Sequence, residues 1–451
     1  MNKLPILLLI GSILFFSYSS EKTVPVTADN ALMSYLSNGD KSYEWEVVDT
    51  IYAKGIVAYN LLLTSQKWRE HLWKHQLTIL VPEELEHDGA MVFITGGSVK
   101  DGMPKWTGAN DETLQAFGKI ALANKAITAV LKQVPNQPLY TNLTEDELIS
   151  FTLHNFKEDF DYTWPLLFPM TKSAIRSMDA IQDFSNSKLN KDINRFLICG
   201  ASKRGWTTWL TGATDKRVEA IAPMVIDVLN MSVNLDYQVE VWQDYSIQIQ
   251  DYVKLGIPQQ AKSDTGSMLI KMIDPYAYRA KLTMPKLIFI GTNDEYWPVD
   301  AIKHYIDSIP GINHIHYVPN AGHNLGDKKQ ALKALSAFFG YTLNRKPYPV
   351  FEYNISLDAD GTTIEANALP DELIDVSVWS ADAQKRDFRK SNWLSESLDT
   401  NGSSEVSVKI PFPKEGFKAF YLDFKFKDLN GGHFTMSSRM FVADKDELFL
   451  K

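Results

Sequence analysis

The chain has 451 residues, 45% hydrophobic and 12% aromatic, enough apolar mass for a large core and more than one domain. A formal net charge of −9, with no dense Lys/Arg block, argues against a nucleic-acid surface, which needs clustered cations to release counterions. Its single cysteine, Cys199, excludes a structural disulfide within the chain.

Lys3, the apolar run Leu4 to Phe16 and the polar Ser17 to Ser20 read in order as the three regions of a secretory signal. The run is short for a membrane span, which takes roughly 17 to 25 residues. The expectation is a signal over residues 1–20 and a secreted or periplasmic protein with no integral span in the mature chain; an uncleaved anchor is the alternative. Alternating apolar positions in Ser42 to Asp49 and Ile51 to Ser65 predict an antiparallel sheet, followed by strands at Leu77 to Pro82 and Met91 to Thr95. The last is almost continuously apolar, as a strand covered on both faces should be.

From there strands and helices take turns. Helix Asp111 to Asn124 leads to strand Ile127 to Val134, and a long polar stretch precedes helix Pro165 to Phe184. Strand Phe196 to Cys199, helix Lys203 to Gly212 and strand Ala220 to Val225 follow. Strand Lys286 to Ile290, helix Val299 to Ser308, strand His314 to Val318 and helix Lys328 to Phe339 complete the series. Such alternation predicts a mostly parallel, doubly wound α/β sheet over residues 21–345. Residues 228–284 interrupt it with aromatic and amide-rich sequence and read as a helical lid, since segments leaving strand carboxyl ends surround the ligand crevice of an open sheet. From residue 346 to 451 short period-2 runs between Asp, Asn, Gly and Pro predict an all-β, sandwich-like domain.

Ser202 stands in Gly200-Ala201-Ser202-Lys203-Arg204-Gly205, where a buried strand turns into a helix. A serine hydroxyl needs a base for its proton and donors for the oxyanion it creates, and a strand-to-helix elbow offers both exposure and free helix N–H groups. The same residue could equally be a plain helix N-cap. Order weighs for the nucleophile. One later strand ends in Gly291-Thr292-Asn293-Asp294 and the next in Pro319-Asn320-Ala321-Gly322-His323, which is the chain order serine, acid, histidine of an α/β-hydrolase. Asp294 is favoured over Glu295 and Asp300 because it lies nearest its strand. The oxyanion donors expected are the N–H of Lys203 and one from the Gly96-Gly97-Ser98 turn, Gly97 or Ser98; a simple chain reversal there is the alternative. The Lys203 and Arg204 side chains read either as solvated helix-surface cations or, for one of them, as a contact to an anionic or amide part of a substrate.

The stretches "GASKRGWTTWLTGATDKRVEAIAPMVIDVLN", "IGTNDEYWPVD" and "PNAGHNLG" resemble the PhoPQ-activated pathogenicity-related protein family, a branch of the α/β-hydrolase superfamily. The resemblance covers Asp40 to Val442 and is most specific from Ser202 to Asn230. It implies an α/β-hydrolase fold and an exported hydrolase-like protein, with Ser202 as nucleophile, Asp294 as acid and His323 as base. It implies no particular substrate.

The expected reaction is attack of Ser202 on an acyl carbonyl, ester or peptide, without a cofactor. A carboxylic-ester hydrolase and a binding or signalling protein that has lost turnover are the alternatives. Tyr237, Trp242, Tyr245 and Tyr252 of the insertion, with Trp297 beside the acid, are candidates to line a substrate pocket, although packing is the commoner use of such residues. Asp227, Asp236, Glu240 and Asp244 are candidates to hold a substrate amine. His71 and His75, four apart, would share a helical face; without a carboxylate motif beside them they predict no metal site.

Overall fold

The computed structural model describes residues 24–368, 372–398 and 403–450. The expected signal at residues 1–20 lies outside them. A short helix α1 (Ala31–Leu36) precedes three long antiparallel strands, β1 (Glu44–Ala53), β2 (Ile56–Trp68) and β3 (His71–Pro82). His71 and His75 thus stand on a strand, not a helix. At about 3.3 Å per residue they are roughly 13 Å apart. The His75 ring is buried between the Ser65 hydroxyl (Nε2, 2.9 Å) and the Lys132 carbonyl (Nδ1, 3.0 Å), and burial pushes its pKa down to about 4.

β4 (Gly89–Ile94) leads through the small hairpin β5 (Val99–Lys100) and β6 (Met103–Pro104) to α2 (Glu112–Asn124), capped by the Asp111 carboxylate, and β7 (Ile127–Leu131). The polar stretch after β7 contains a helix, α3 (Glu145–Asp159), before α4 (Leu167–Phe184). Then come β8 (Arg195–Ala201), α5 (Lys203–Thr214) and β9 (Val218–Met224). The insertion folds as α6 (Met231–Trp242), α7 (Gln250–Val253), α8 (Asp264–Ile273) and short 3₁₀ turns. β10 (Lys286–Gly291), β11 (Asn313–Val318) and α9 (Lys329–Leu343) close the series. Between β10 and β11 the expected helix is two 3₁₀ pieces, Ala301–His304 and Ile306–Ser308. Pro310-Gly311, just after the second piece, stop any helical continuation toward β11.

The strand order is β1-β2-β3-β7-β4-β8-β9-β10-β11, parallel from β7 onward. Side chains alternate along each strand, so each central strand feeds two cores. Val92, Ile198 and Ile288 point to a core with α4 and α5; Met91, Leu197 and Phe289 point to one with α2 and α9. A parallel sheet covered by helices on both faces, with strand carboxyl ends meeting at one rim, is the α/β-hydrolase arrangement.

The C-terminal strands divide between two sheets. β12 (Phe351–Asp358), β13 (Gly361–Ala368) and β16 (Glu405–Pro411) form one of three strands. β14 (Leu373–Ala383), β15 (Leu394–Leu398), β17 (Phe417–Lys427) and β18 (His433–Ser437) extend the main sheet, because β18 pairs antiparallel with β11 at Ile315 and Ser437. β19 (Phe441–Ala443) pairs with β17, and Phe351 stacks on Phe424 at 3.9 Å between the two layers.

Candidate active site

Ser202 occupies the turn between β8 and α5 at φ 58°, ψ −126°, a backbone conformation that costs a non-glycine residue of order 1–3 kcal/mol. The surroundings impose it. The Ser202 N–H donates to the Met224 carbonyl at the end of β9, and a Cβ at position 205 would meet that same carbonyl at 2.8 Å. Gly205 therefore allows α5 to start directly against the neighbouring strand, which fixes the serine side chain at the rim.

The other two loops arrive from adjacent strands. His323 Nε2 lies 2.8 Å from Ser202 Oγ, and His323 Nδ1 lies 2.9 Å and 3.1 Å from the two oxygens of Asp294. A buried carboxylate at Nδ1 selects the tautomer protonated there, so Nε2 is free to accept the serine proton. Asp294 is itself held: it accepts from the Tyr296 N–H at 2.8 Å and is 5% exposed. Glu295, the rejected acid, has another position, accepting the backbone N–H of His323 at 3.0 Å. Tyr296 lies against the imidazole face, ring centroids 3.9 Å apart. Gly291 lets these loops meet, because a Cβ there would sit 2.4 Å from the carbonyls of both Ala321 and Gly322.

The two cations behind Ser202 are neither solvated nor free for an anionic substrate. Lys203 Nζ pairs with Asp146 at 2.9 Å and Glu145 at 3.2 Å; Arg204 forms a fork on Glu145 at 2.6 and 2.7 Å and also donates to the Val134 carbonyl. Glu145 and Asp146 open α3, the helix hidden in the polar stretch. Burial alone would push the Glu145 carboxyl up, but Arg204, Lys203 and Gln137 outweigh it and hold the pKa near about 2. The Gln137 amide donates both to Glu145 and to the carbonyl of Gly97, at 3.2 Å for the latter. One carboxylate thereby ties the elbow to the Gly96-Gly97 turn. Ile94 pairs with Gly200, so this turn leaves β4 level with Ser202, one strand across. Among the described residues the backbone N–H groups of Lys203, Gly97 and Ser98 make no hydrogen bond.

A cleft of about 620 Å³, counted to its open mouth, begins at Ser202 and runs under the helical insertion. Trp297 and Tyr252 line it, together with Trp206 and Tyr296, which sequence reasoning passed over. Tyr237, Trp242 and Tyr245 do not. Tyr237 lies on the face of α6 opposite Leu235, buried, with its hydroxyl donating to Asp300 beside Lys303 and Arg386. Trp242 is two turns beyond the cleft and stacks under the Arg389 guanidinium at 4.0 Å. The four candidate amine-binding carboxylates are also elsewhere: Asp227 is buried, Asp236 pairs with Lys262, Glu240 approaches Arg386 at 3.8 Å and Asp244 accepts from the Tyr245 N–H.

Helix α3 had a signal of its own. Three acidic residues in its first turn precede Leu148, Ile149, Leu153 and Phe156, all buried at helical spacing. What sequence could not give was their partner, since Glu145 and Arg204 meet across 59 residues.

A family model described as PhoPQ-activated pathogenicity-related protein matches residues 32–389. Autocrine proliferation repressor protein A of Dictyostelium discoideum is 29% identical over 428 residues, 87% of this chain and 85% of that protein. Among solved structures, Acetyl Xylan Esterase 1 from Thermoanaerobacterium sp. JW/SL YS485 matches at TM-score 0.49 and 15% identity, over 70% of this chain and 93% of that one. An S-formylglutathione hydrolase from Agrobacterium tumefaciens matches at TM-score 0.44 and 11% identity, over 66% of this chain and 99% of that one.

Proposed function

The chain belongs to the PhoPQ-activated pathogenicity-related protein family, and we propose that it is an exported serine hydrolase acting on acyl substrates. The observation that carries this is the unbroken contact from Ser202 Oγ through His323 to Asp294, 2.8 Å and 2.9 Å long. In this reading His323 Nε2 takes the Ser202 proton as Oγ bonds to the carbonyl carbon, and Asp294 stabilises the imidazolium. The Lys203 N–H and one from the Gly97-Ser98 turn receive the oxyanion. Collapse breaks the bond to the leaving group, which takes the proton from His323. Water then repeats the sequence on the acyl-serine, releasing the acid and restoring the hydroxyl.

Ester chemistry is the first choice over peptide chemistry, because the carboxylates that would have anchored a peptide amine lie away from the cleft. The name of the Dictyostelium relative favours one further reading, a released signal that keeps the fold without turnover. A fluorophosphonate probe separates the two. The hydrolase labels stoichiometrically and the Ser202→Ala protein does not; wild-type protein that fails to label, or a mutant that labels equally, overturns the nucleophile assignment. Export is tested by N-terminal sequencing of protein recovered outside the cytoplasm, expected to begin after about residue 20.

A further inference from the structure

We propose that the cleft beside Ser202 receives the acyl group and selects an uncharged, apolar chain longer than acetyl. The inference rests on the nucleophile reading above and adds the substrate class. Its walls come from four elements: Trp206 on α5, Val228 after β9, Leu235 on α6 and Trp297 beside the acid. Trp206 has turned its only polar atom away, donating Nε1–H to the Ile273 carbonyl at 2.6 Å.

Two charged side chains reach the cleft, Lys203 and Asp146, and they are already paired with each other at 2.9 Å. Lys203 has Glu145 as a second partner, and Asp146 also accepts the Tyr252 hydroxyl at 2.9 Å. A carboxylate or ammonium on the substrate would lose its water here without meeting an unpaired opposite charge, and desolvation of such a group is prohibitive. A methylene chain meets side-chain carbon from Trp206, Val228, Leu235 and Ile257. A single methylene seated in such a pocket is worth about tenfold in specificity, so a tenfold preference is the least that a chain entering it should show.

The test compares kcat/KM for the 4-nitrophenyl esters of acetic, hexanoic and adipic acid, the last ending in a free carboxylate. Hexanoate is expected to exceed acetate at least about tenfold and adipate at least about a hundredfold. Val228→Phe, which fills the cleft, should bring the hexanoate-to-acetate ratio down about tenfold or more. A ratio near one in wild-type protein that still labels with fluorophosphonate overturns the apolar cleft and leaves the nucleophile standing. The second measurement needs no turnover: in Ser202→Ala protein, calorimetry should show hexanophenone binding at least about tenfold more tightly than acetophenone. Equal affinities overturn the inference even where no ester is hydrolysed.

Discussion

Asp227 shows what a single residue at this rim implies. It follows β9, is 1% exposed, and faces the Tyr305 hydroxyl and the Ile302 backbone without a well-formed hydrogen bond to either. Burial, with the nearby charges of Asp294 and Asp300 adding to it, pushes its pKa up from 3.8 to about 8. The folded state therefore binds the proton more tightly than the unfolded state. Its contribution to stability is fully present below about pH 3.8 and is lost as pH rises toward about 8. Asp227→Asn mimics the protonated form at every pH. The variant is expected to hold its unfolding midpoint between about pH 6 and about pH 9, where wild-type protein loses a few degrees; scanning calorimetry at both ends checks it. Parallel falls in the two proteins would mean that Asp227 is ionised throughout. The residue was visible in the sequence as an acid near the strand ends, but only packing tells a buried neutral acid from a substrate anchor.

Between elements, the decisive tie is Glu145. It stands at the first turn of α3, grips Lys203 and Arg204 on α5, and reaches the Gly97 carbonyl through Gln137. Its pKa is held below the usual carboxylate range, so the tie is present above about pH 4.5 and is lost only as pH falls through about 2. Removing the charge leaves Arg204, 8% exposed, without its carboxylate partner, a loss smaller than the roughly 3–5 kcal/mol of a fully buried pair because Glu145 is itself 38% exposed. It also frees the turn expected to supply an oxyanion donor. Glu145→Gln should lower kcat about 10- to 100-fold with KM nearly unchanged in protein that is still folded at low temperature. An unchanged kcat would make the tie purely structural. This pattern also marks how far the sequence could be read. Period-2 and helical spacing placed the parallel strands and most helices, and chain order brought Ser202, Asp294 and His323 to neighbouring loops. Spacing along α6 said nothing about which face would meet the cleft, so Tyr237 and Trp242 were misplaced. Helix α3 was missed because its polar first turn hid an apolar stripe whose partners are distant in sequence.

At the scale of the whole molecule, the C-terminal strands are built into the candidate site. The segment after β14 supplies the carbonyls of Phe388, Arg389 and Ser391 to the Asn293 amide, immediately before the acid. Asn320, in the loop that carries His323, exchanges two hydrogen bonds with the Trp393 backbone, at 2.9 and 2.8 Å. Arg386 pairs with Asp300 at 3.0 Å and contacts the Tyr237 hydroxyl, which pins the root of the helical insertion. Packing repeats the pattern, with Tyr317 of β11 against Tyr421 of β17 at 4.9 Å. A chain ending at Arg345 would lose all of these supports and expose β11 as an open sheet edge, which invites pairing with another molecule. Truncation there is expected to give an aggregating protein without a cooperative thermal transition and without fluorophosphonate labelling, as size-exclusion chromatography, circular dichroism and probe gels would show. A monomeric truncated protein that melts cooperatively and labels at Ser202 would mean that the hydrolase sheet holds its acid and histidine loops unaided.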